Sequence, residues 1–223
     1  MVQALGEPKG RVYRVLATLE RRGFVVRGES NAYRLGLTVL ELGGAAYKQI
    51  EFRKVAYPIL KELVRETQES AFLTVVSGDE SVCIEAVESP QSLKMTLEIG
   101  GRHPLYAGAS NKVLLAYLPS ESIDRIIAAG LRPVTSKTIV DPDELKANLA
   151  EIRRQGWCCS FGEVTQSAAA IAVPVMNAQG RVVGGLSIAG LQDRFTADRI
   201  AGYVECLRAA AERIKSQLKT WGD

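Results

Sequence analysis

Two kinds of apolar spacing follow each other near the start of the chain. Residues 10–22 carry apolar side chains at helical spacing, and Gly23 comes next, at a position where helices commonly end. The apolar stripe consists of Val12, Val15, Leu16 and Leu19. Two short extended runs then surround the polar segment 28–31, which predicts a hairpin. A turn, an amphipathic helix and a hairpin are therefore expected in that order.

The remainder of the chain alternates between helical and extended patterns and ends in a helix. One helix is predicted over residues 36–50 and a second up to about Thr67. Extended runs predict strands at residues 72–77, 82–87, 93–99, 157–161, 169–176 and 182–189. Further helices are predicted at residues 110–118, 120–128, 142–155 and 200–218. The hairpin spacing favours a six-stranded, mostly antiparallel sheet with flanking helices, which is an α+β fold.

Positive charge is concentrated at the N-terminal end. The formal net charge is +3, yet residues 1–34 hold seven basic and three acidic side chains, so the rest of the chain is close to neutral. A basic end on a near-neutral body indicates contact with a polyanion. On the predicted helix, Arg14 and Arg21 project away from the apolar stripe, and Arg11 lies in the first turn. A solvated basic helix followed by an edge hairpin is the alternative interpretation.

The helix and the hairpin together predict a surface that reads double-stranded DNA. An arginine side chain can contact guanine through two hydrogen bonds, and the free N–H groups of a helix start can hold a phosphate. The predicted DNA-binding residues are Lys9, Gly10, Arg11, Tyr13, Arg14, Arg27 and Arg34. The first two are expected at a phosphate and the next three on the reading face. The last two flank the hairpin, where a wing would touch the DNA backbone.

Composition argues against a membrane span, a metal site and a cofactor. The chain has no run of 18 or more apolar residues and no basic-then-apolar signal at its start, so we expect a cytoplasmic protein without a membrane partner. The four cysteines lack metal-binding spacing, and His103 is the one histidine, so neither a disulfide framework nor a zinc site is expected. The cysteines are expected to be buried thiols.

Three segments resemble those of IclR-type bacterial regulators and together span nearly the whole chain. The first reads GEPKGRVYRVLATLERRGFVVR and is followed by YRLGLTVLELG. The second, residues 103–119, reads HPLYAGASNKVLLAYLP. The third, residues 156–190, reads GWCCSFGEVTQSAAAIAVPVMNAQGRVVGGLSIAG. In this third segment, Gly156, Ser160 and Glu163 fall on positions of the family's sensor signature.

The resemblance implies a sequence-specific transcriptional regulator with three parts. Residues 1–35 would form a partial winged helix-turn-helix without the family's first helix, residues 36–51 a linker helix, and residues 52–223 a GAF-like effector domain. Family members are usually homodimers or tetramers, the latter as dimers of dimers, and they bind palindromic or repeated operators. A small metabolite, often a carboxylic or aromatic acid, controls a catabolic operon, and repression is the expected mode.

The resemblance also places a small-molecule effector on six residues of the C-terminal part. They are Ala109, Ser110, Ser160, Ala170, Ser187 and Ala189. Family members carry an acidic residue at the Ser160 position and more serine on the last strand, so polar groups are fewer here. Such a pocket is expected to take a less polar effector, or one held by backbone amides. The N–H groups of Ala109 and Ser110 are the expected contacts for a carboxylate.

Two other classes of function stay open at this point. A ligand-binding or dimerisation module that does not bind DNA would fit the partial N-terminal domain. A hydrolase would need a nucleophile paired with His103, and the candidates are Ser187, Cys158 and Cys159. The resemblance of residues 185–189 to a nucleophile elbow is poor, because the last glycine is replaced and the serine lies in a predicted strand.

Four polar or aromatic side chains have expected roles that involve no ligand. Lys112 lies on a predicted helix and is expected to be solvated. His103, Trp157 and Glu163 are expected to serve in packing or at the surface. None of these four therefore belongs to the predicted binding sites.

Overall fold

The computed structural model describes residues 6–29 and 32–218, which fall into two compact units divided between Ile50 and Glu51. The first unit contains α1 (Lys9–Arg21), β1 (Val25–Arg27), β2 (Tyr33–Leu35) and α2 (Leu37–Gln49). Helix, hairpin and helix follow in the predicted order. Residues 1–5 and the predicted turn residues Ser30 and Asn31 lie outside the described residues.

Glycines let the helices and the hairpin of the first unit meet closely. Gly23 follows α1 with a φ of 73°, and its N–H donates to the carbonyl oxygen of Glu20 at 2.9 Å. The Gly36 N–H donates to the Phe24 carbonyl oxygen at 2.8 Å, and a Cβ at position 36 would collide with the Gly23 carbonyl. The segment that follows α1 and the start of α2 are thus in backbone-to-backbone contact.

The apolar stripe of α1 is only partly covered. Val12 is buried and Leu16 and Leu19 are half-buried, whereas Val15 is 53% exposed. An apolar stripe of this kind is expected to be covered by packing, and at Val15 it is not. The physical reason is that α1 packs against β1, a strand of three residues that is too short to cover the full width of the stripe.

The second unit is an α+β domain built on one six-stranded antiparallel sheet, as predicted. Its helices are α3 (Glu51–Thr67), α4 (Ala109–Ala116), α5 (Ser120–Ala128), α6 (Pro142–Gln155) and α7 (Ala197–Gln217). Its strands are β3 (Ser70–Ser77), β4 (Glu80–Val87), β5 (Arg102–Pro104), β6 (Cys158–Phe161), β7 (Ala168–Met176) and β8 (Val182–Leu191), and a 3-10 turn follows at Gln192–Arg194. The strand order is β5-β4-β3-β8-β7-β6, with antiparallel neighbours throughout.

Two adjacent glycines in β8 let helices approach both faces of the sheet. A Cβ on Gly184 would lie 2.7 Å from the ring of Phe52 in α3. A Cβ on Gly185 would lie 2.9 Å from the carbonyl oxygen of Ser110 in α4. Because successive strand residues face opposite sides, α3 lies on one face of the sheet and α4 on the other. The α4 face also holds a core of Leu105, Leu114, Leu145, Leu149 and Ile152.

The edge strand beside β4 lies later in the chain than predicted. Residues 93–99 are irregular, and Leu93 and Ile99 are 68% and 49% exposed. The edge position is filled by β5, in which His103 pairs with Ser81. Gly100 and Gly101 exchange backbone hydrogen bonds with Cys83, at 2.8 and 3.1 Å, so this stretch of the β4 edge is not available to residues 93–99. The predicted strand at 93–99 is therefore wrong.

We expect replacement of Gly36 by alanine to destabilise the first unit selectively. The new Cβ would overlap the Gly23 carbonyl, and overpacking of this kind costs about 1–3 kcal/mol or more. Hydrogen exchange on the full chain should show lost protection in peptides from α1 to α2 and unchanged protection in β7 and β8.

Gly43→Ala in α2 is the matched control. A Cβ at position 43 meets no atom within 4 Å, and alanine favours a helix over glycine by about 1 kcal/mol. Protection in the first unit should therefore be kept or increased. Equal protection in wild type and Gly36→Ala would contradict the importance of the backbone contact.

Candidate functional site

A cavity of about 290 Å³ lies in the second unit, between the sheet and the start of α4. All six residues predicted to hold an effector line it: Ala109, Ser110, Ser160, Ala170, Ser187 and Ala189. The structure thus brings together residues that are up to 80 positions apart in the sequence. The volume is just below the usual range for small-molecule pockets, roughly 300–1,000 Å³, which favours a small ligand.

Small side chains on neighbouring strands create the floor of the cavity. The register pairs Ser160 with Ala170, and Ala170 with Ala189, so three small residues lie side by side across β6, β7 and β8. Phe72 on β3 pairs with Ser187 and lines the cavity beside this row. Larger side chains in the row would fill the space, so the sequence of small residues is what leaves the cavity open.

The first turn of α4 supplies the polar end of the cavity. Gly108 precedes the helix with a φ of 91°, a backbone conformation that L side chains rarely adopt. Within the described residues, the N–H groups of Ala109 and Ser110 donate to no acceptor. Both residues line the cavity, and the start of a helix carries partial positive charge. The arrangement can therefore receive a carboxylate.

A buried ion pair stands behind this helix start. The Nζ of Lys112 lies 2.6 Å from Oε1 of Glu163, and the two side chains are 1% and 8% exposed. Oε2 of Glu163 accepts the Gly108 N–H at 3.1 Å. The expectation of a solvated Lys112 is wrong, because its side chain runs inward from α4 to meet the carboxylate. Glu163 is buried as well, but it has a specific charged partner rather than a general packing role.

Glu163 also joins the connection between β6 and β7 to the segment before α6. Thr138 Oγ1 donates to the backbone carbonyl oxygen of Glu163 at 2.8 Å. Thr135 Oγ1 donates to the carbonyl oxygen of Gly162 at 2.6 Å. Glu163 therefore has its side chain fixed to α4 and its backbone fixed to residues 135–138.

The sequence prediction missed one wall of the cavity. Met95, Thr96 and Leu97 line it, as does His103. Of the alternating apolar residues over 93–99, Met95 and Leu97 are half-buried and line the cavity rather than a sheet, whereas Leu93 and Ile99 are exposed. The carbonyl oxygen of Leu93 accepts from Arg194, at 3.3 Å, which ties this wall to the turn after β8.

The predicted DNA-reading residues of α1 are all exposed. They are Lys9, Gly10, Arg11, Tyr13 and Arg14. The helix follows Pro8, with no side-chain cap and no acidic residue in its first turn, so its positive end is unoccupied by protein groups among the described residues. Arg11 is not free, however, because its guanidinium lies 3.1 Å from the carboxylate of Glu7. The Nζ of Lys9 lies 5.8 Å above the ring of Tyr13.

The two predicted wing arginines lie on opposite faces of the hairpin. Arg34 pairs with Val26, whereas Arg27 pairs with Tyr33. Side chains of directly paired residues share a face, and neighbouring pairs alternate between faces. A DNA backbone that lies against one face of the hairpin would therefore meet only one of these two arginines directly.

The described residues contain no group of three or more histidine, cysteine, aspartate or glutamate side chains that could hold a metal ion. No described helix is both long and apolar enough to cross a membrane.

Burial raises the pKa of Cys158 to about 12 and that of Cys159 to about 11. Ser187 lies inside β8 rather than at a strand-to-helix turn. These thiols and this hydroxyl are poorly placed as nucleophiles.

Both parts of the chain match known sequence families. The family described as "Bacterial transcriptional regulator IclR C-terminal" matches residues 44–216, and the "IclR helix-turn-helix domain" matches residues 1–29. The HTH-type transcriptional regulator KipR of Bacillus subtilis is 36% identical over 219 residues, which cover 98% of this chain and 88% of KipR. KdgR of Escherichia coli is 35% identical over 212 residues, which cover 94% of this chain and 81% of KdgR.

Solved structures of the same kind resemble the chain in fold. A putative IclR transcriptional regulator from a Silicibacter species has a TM-score of 0.87 and 28% identity, and the match covers 100% of this chain and 88% of that one. An IclR homologue from Microbacterium hydrocarbonoxydans, solved in complex with 4-hydroxybenzoate, has a TM-score of 0.80 and 27% identity. That match covers 98% of this chain and 89% of the homologue.

Native Cys158 and Cys159 are expected to resist alkylation by iodoacetamide. With pKa values of about 12 and 11, the thiolate fraction at about pH 8 is on the order of one in a thousand or less. Mass spectrometry should find both thiols unmodified in the folded protein and modified after urea treatment. A cysteine introduced at the exposed position Ser120 is the control and should react in the folded protein. Rapid native alkylation of Cys158 would contradict the burial argument.

Proposed function

The chain belongs to the IclR family of bacterial transcriptional regulators, and from that membership we propose that it represses a catabolic operon in response to a small organic acid. A DNA-binding helix-turn-helix and a C-terminal effector domain are features of the family. The repressor role, the operon and the chemical class of the effector are the proposal. Relatives with repressor in their names support the first of these, among them the transcriptional repressor IclR of Escherichia coli.

The proposed class of effector rests on the cavity beside α4. Its polar end consists of the N–H groups of Ala109 and Ser110, which are unpaired among the described residues, and its floor is made of small and apolar side chains. An effector with one carboxylate and a compact apolar body satisfies both ends. The homologue that binds 4-hydroxybenzoate provides a chemically similar precedent.

The exposed face of α1 supports operator binding. Arg14 projects from the helix with no acidic partner among the described residues, and the helix start offers free N–H groups near Lys9 and Gly10. One of Arg27 and Arg34, which lie on opposite faces of the hairpin, would extend this basic surface. We further propose a homodimer, or a tetramer made of two dimers. Leu35, Leu37 and Leu40 support this, because they are 72–76% exposed and form an apolar patch that a second copy would cover.

Arg14→Ala is expected to weaken binding to the DNA upstream of the protein's own gene by about fivefold or more, since one bidentate arginine contact is worth about 1–3 kcal/mol. Fluorescence anisotropy with a labelled duplex measures the loss. Arg153→Ala, an exposed arginine on α6, is the control and should bind like wild type.

The same titration gives the number of chains per duplex. Two or four chains are expected at saturation. One chain per duplex would contradict the oligomer. No binding by wild type would instead favour a ligand-binding module that does not recognise DNA.

Ala170→Leu is expected to abolish effector binding, because three added carbon atoms would enter the cavity floor. In wild type, a ligand at a hundredfold excess over its Kd stabilises by about 2.7 kcal/mol, or roughly 5–10 °C in Tm. Thermal unfolding with 4-hydroxybenzoate and related monocarboxylates measures this shift.

The exposed Ala201→Leu in α7 is the matched control and should keep the full shift. A panel in which only neutral compounds stabilise wild type would overturn the carboxylate assignment. An unchanged shift in Ala170→Leu would mean that the ligand binds somewhere other than the cavity.

A further inference from the structure

We propose that the buried pair of Lys112 and Glu163 restricts the effector to a single negative charge. This inference rests on the proposed function, since it concerns the ligand of the cavity beside α4. It assigns a role in specificity to two residues that the prediction from sequence kept out of the binding site.

Glu163 places a carboxylate in the wall of the cavity, at the end where a ligand anion is expected. The residue is 7% exposed and lines the cavity, and its Oε2 accepts the N–H of Gly108 at 3.1 Å. The start of a helix carries roughly half a positive elementary charge. Glu163 already occupies part of this positive potential, so its charge opposes the approach of a second anion.

Lys112 supplies the charge that makes anion binding feasible. Its Nζ lies 2.6 Å from Oε1 of Glu163, and with 1% exposure it does not line the cavity. The ammonium therefore cancels the carboxylate from behind, without contact to a ligand. A buried carboxylate that lacked this partner would repel an anionic ligand strongly, because the interior screens charges poorly.

The balance of these charges favours one carboxylate and disfavours two. The ion pair is neutral as a unit, which leaves the partial positive charge of the helix start for the ligand. Among the described residues that line the cavity, Glu163 and His103 alone have ionisable side chains. The described lining contains no lysine or arginine, so a second carboxylate would enter a cavity that offers it no such cation.

Charge-changing variants separate this role from a purely structural one. Glu163→Gln keeps an oxygen that can accept the Gly108 N–H and leaves the ammonium uncompensated. Lys112→Met removes the ammonium and leaves the carboxylate uncompensated. The double variant Lys112→Met/Glu163→Gln is neutral again and has nearly the original volume. If one single variant folds poorly, the direction of the shift in the other single variant still tests the inference.

The experiment is calorimetric titration of the full chain at about pH 8, where the carboxylic acid probes are ionised in solution. The probes are benzoate, 4-hydroxybenzoate and hexanoate, each with its neutral amide, and terephthalate as a dianion. The quantity compared is the ratio of anion affinity to amide affinity. A general loosening of α4 lowers both affinities and leaves this ratio unchanged.

We expect the two single variants to shift the ratio in opposite directions. Glu163→Gln should raise it by on the order of tenfold and allow terephthalate to bind, and Lys112→Met should lower it by a similar factor. In the double variant, the ratio of anion affinity to amide affinity should return to within about threefold of the wild-type ratio, because the effects of removing two coupled charges cancel.

Lys146→Met is the control, because Lys146 pairs with Asp124 at 2.7 Å in an exposed ion pair away from the cavity. Its ratio should equal that of wild type. Equal ratios in all variants, or shifts of one sign in both single variants, would overturn this inference while leaving the proposed function intact. Wild type that binds none of the monocarboxylates would overturn the proposed function and this inference together.

Discussion

One carboxylate connects parts of the second unit that no strand pairing joins. Glu163 accepts from the backbone before α4 and from the ammonium of Lys112, while its own carbonyl accepts from Thr138. The first turn of α4, the connection from β6 to β7 and the segment before α6 therefore share one buried polar centre. A buried charge without its partner costs several kcal/mol. The three segments are consequently held together at the end of the cavity.

The sheet has a complementary role in shaping the cavity. The core on its α4 face is filled by large apolar side chains of α4, α5 and α6, whereas small side chains lie where β6, β7 and β8 pass under the first turn of α4. The same face of the sheet therefore borders both a close-packed core and an open space. We expect the polar centre at the end of the cavity to select ligands by charge, and the small residues of the cavity floor to select them by shape.

Much of this arrangement could be predicted from local patterns. The strands around Ala170 and Ser187, and the helix that starts at Pro142, follow from spacing and from turn residues, and the basic face of α1 follows from counting charges. Lys112 could not be placed, because its burial depends on a partner 51 positions away. Residues 93–99 alternate as a strand does, yet the edge of β4 is taken by residues 100–104. Which segment pairs with the edge of β4 depends on residues that are distant in the sequence, so a local pattern does not predict it.

The adjacent glycines of β8 have a mechanical consequence. Gly184 faces the ring of Phe52 and Gly185 faces Ser110, so at this point a single layer of backbone separates α3 from the first turn of α4. Elsewhere in a protein, side chains that change rotamer can absorb a small displacement. Here no side chain of β8 stands between the two helices. We therefore expect a movement of the ligand-facing turn to reach Phe52, near the beginning of α3, through this close contact.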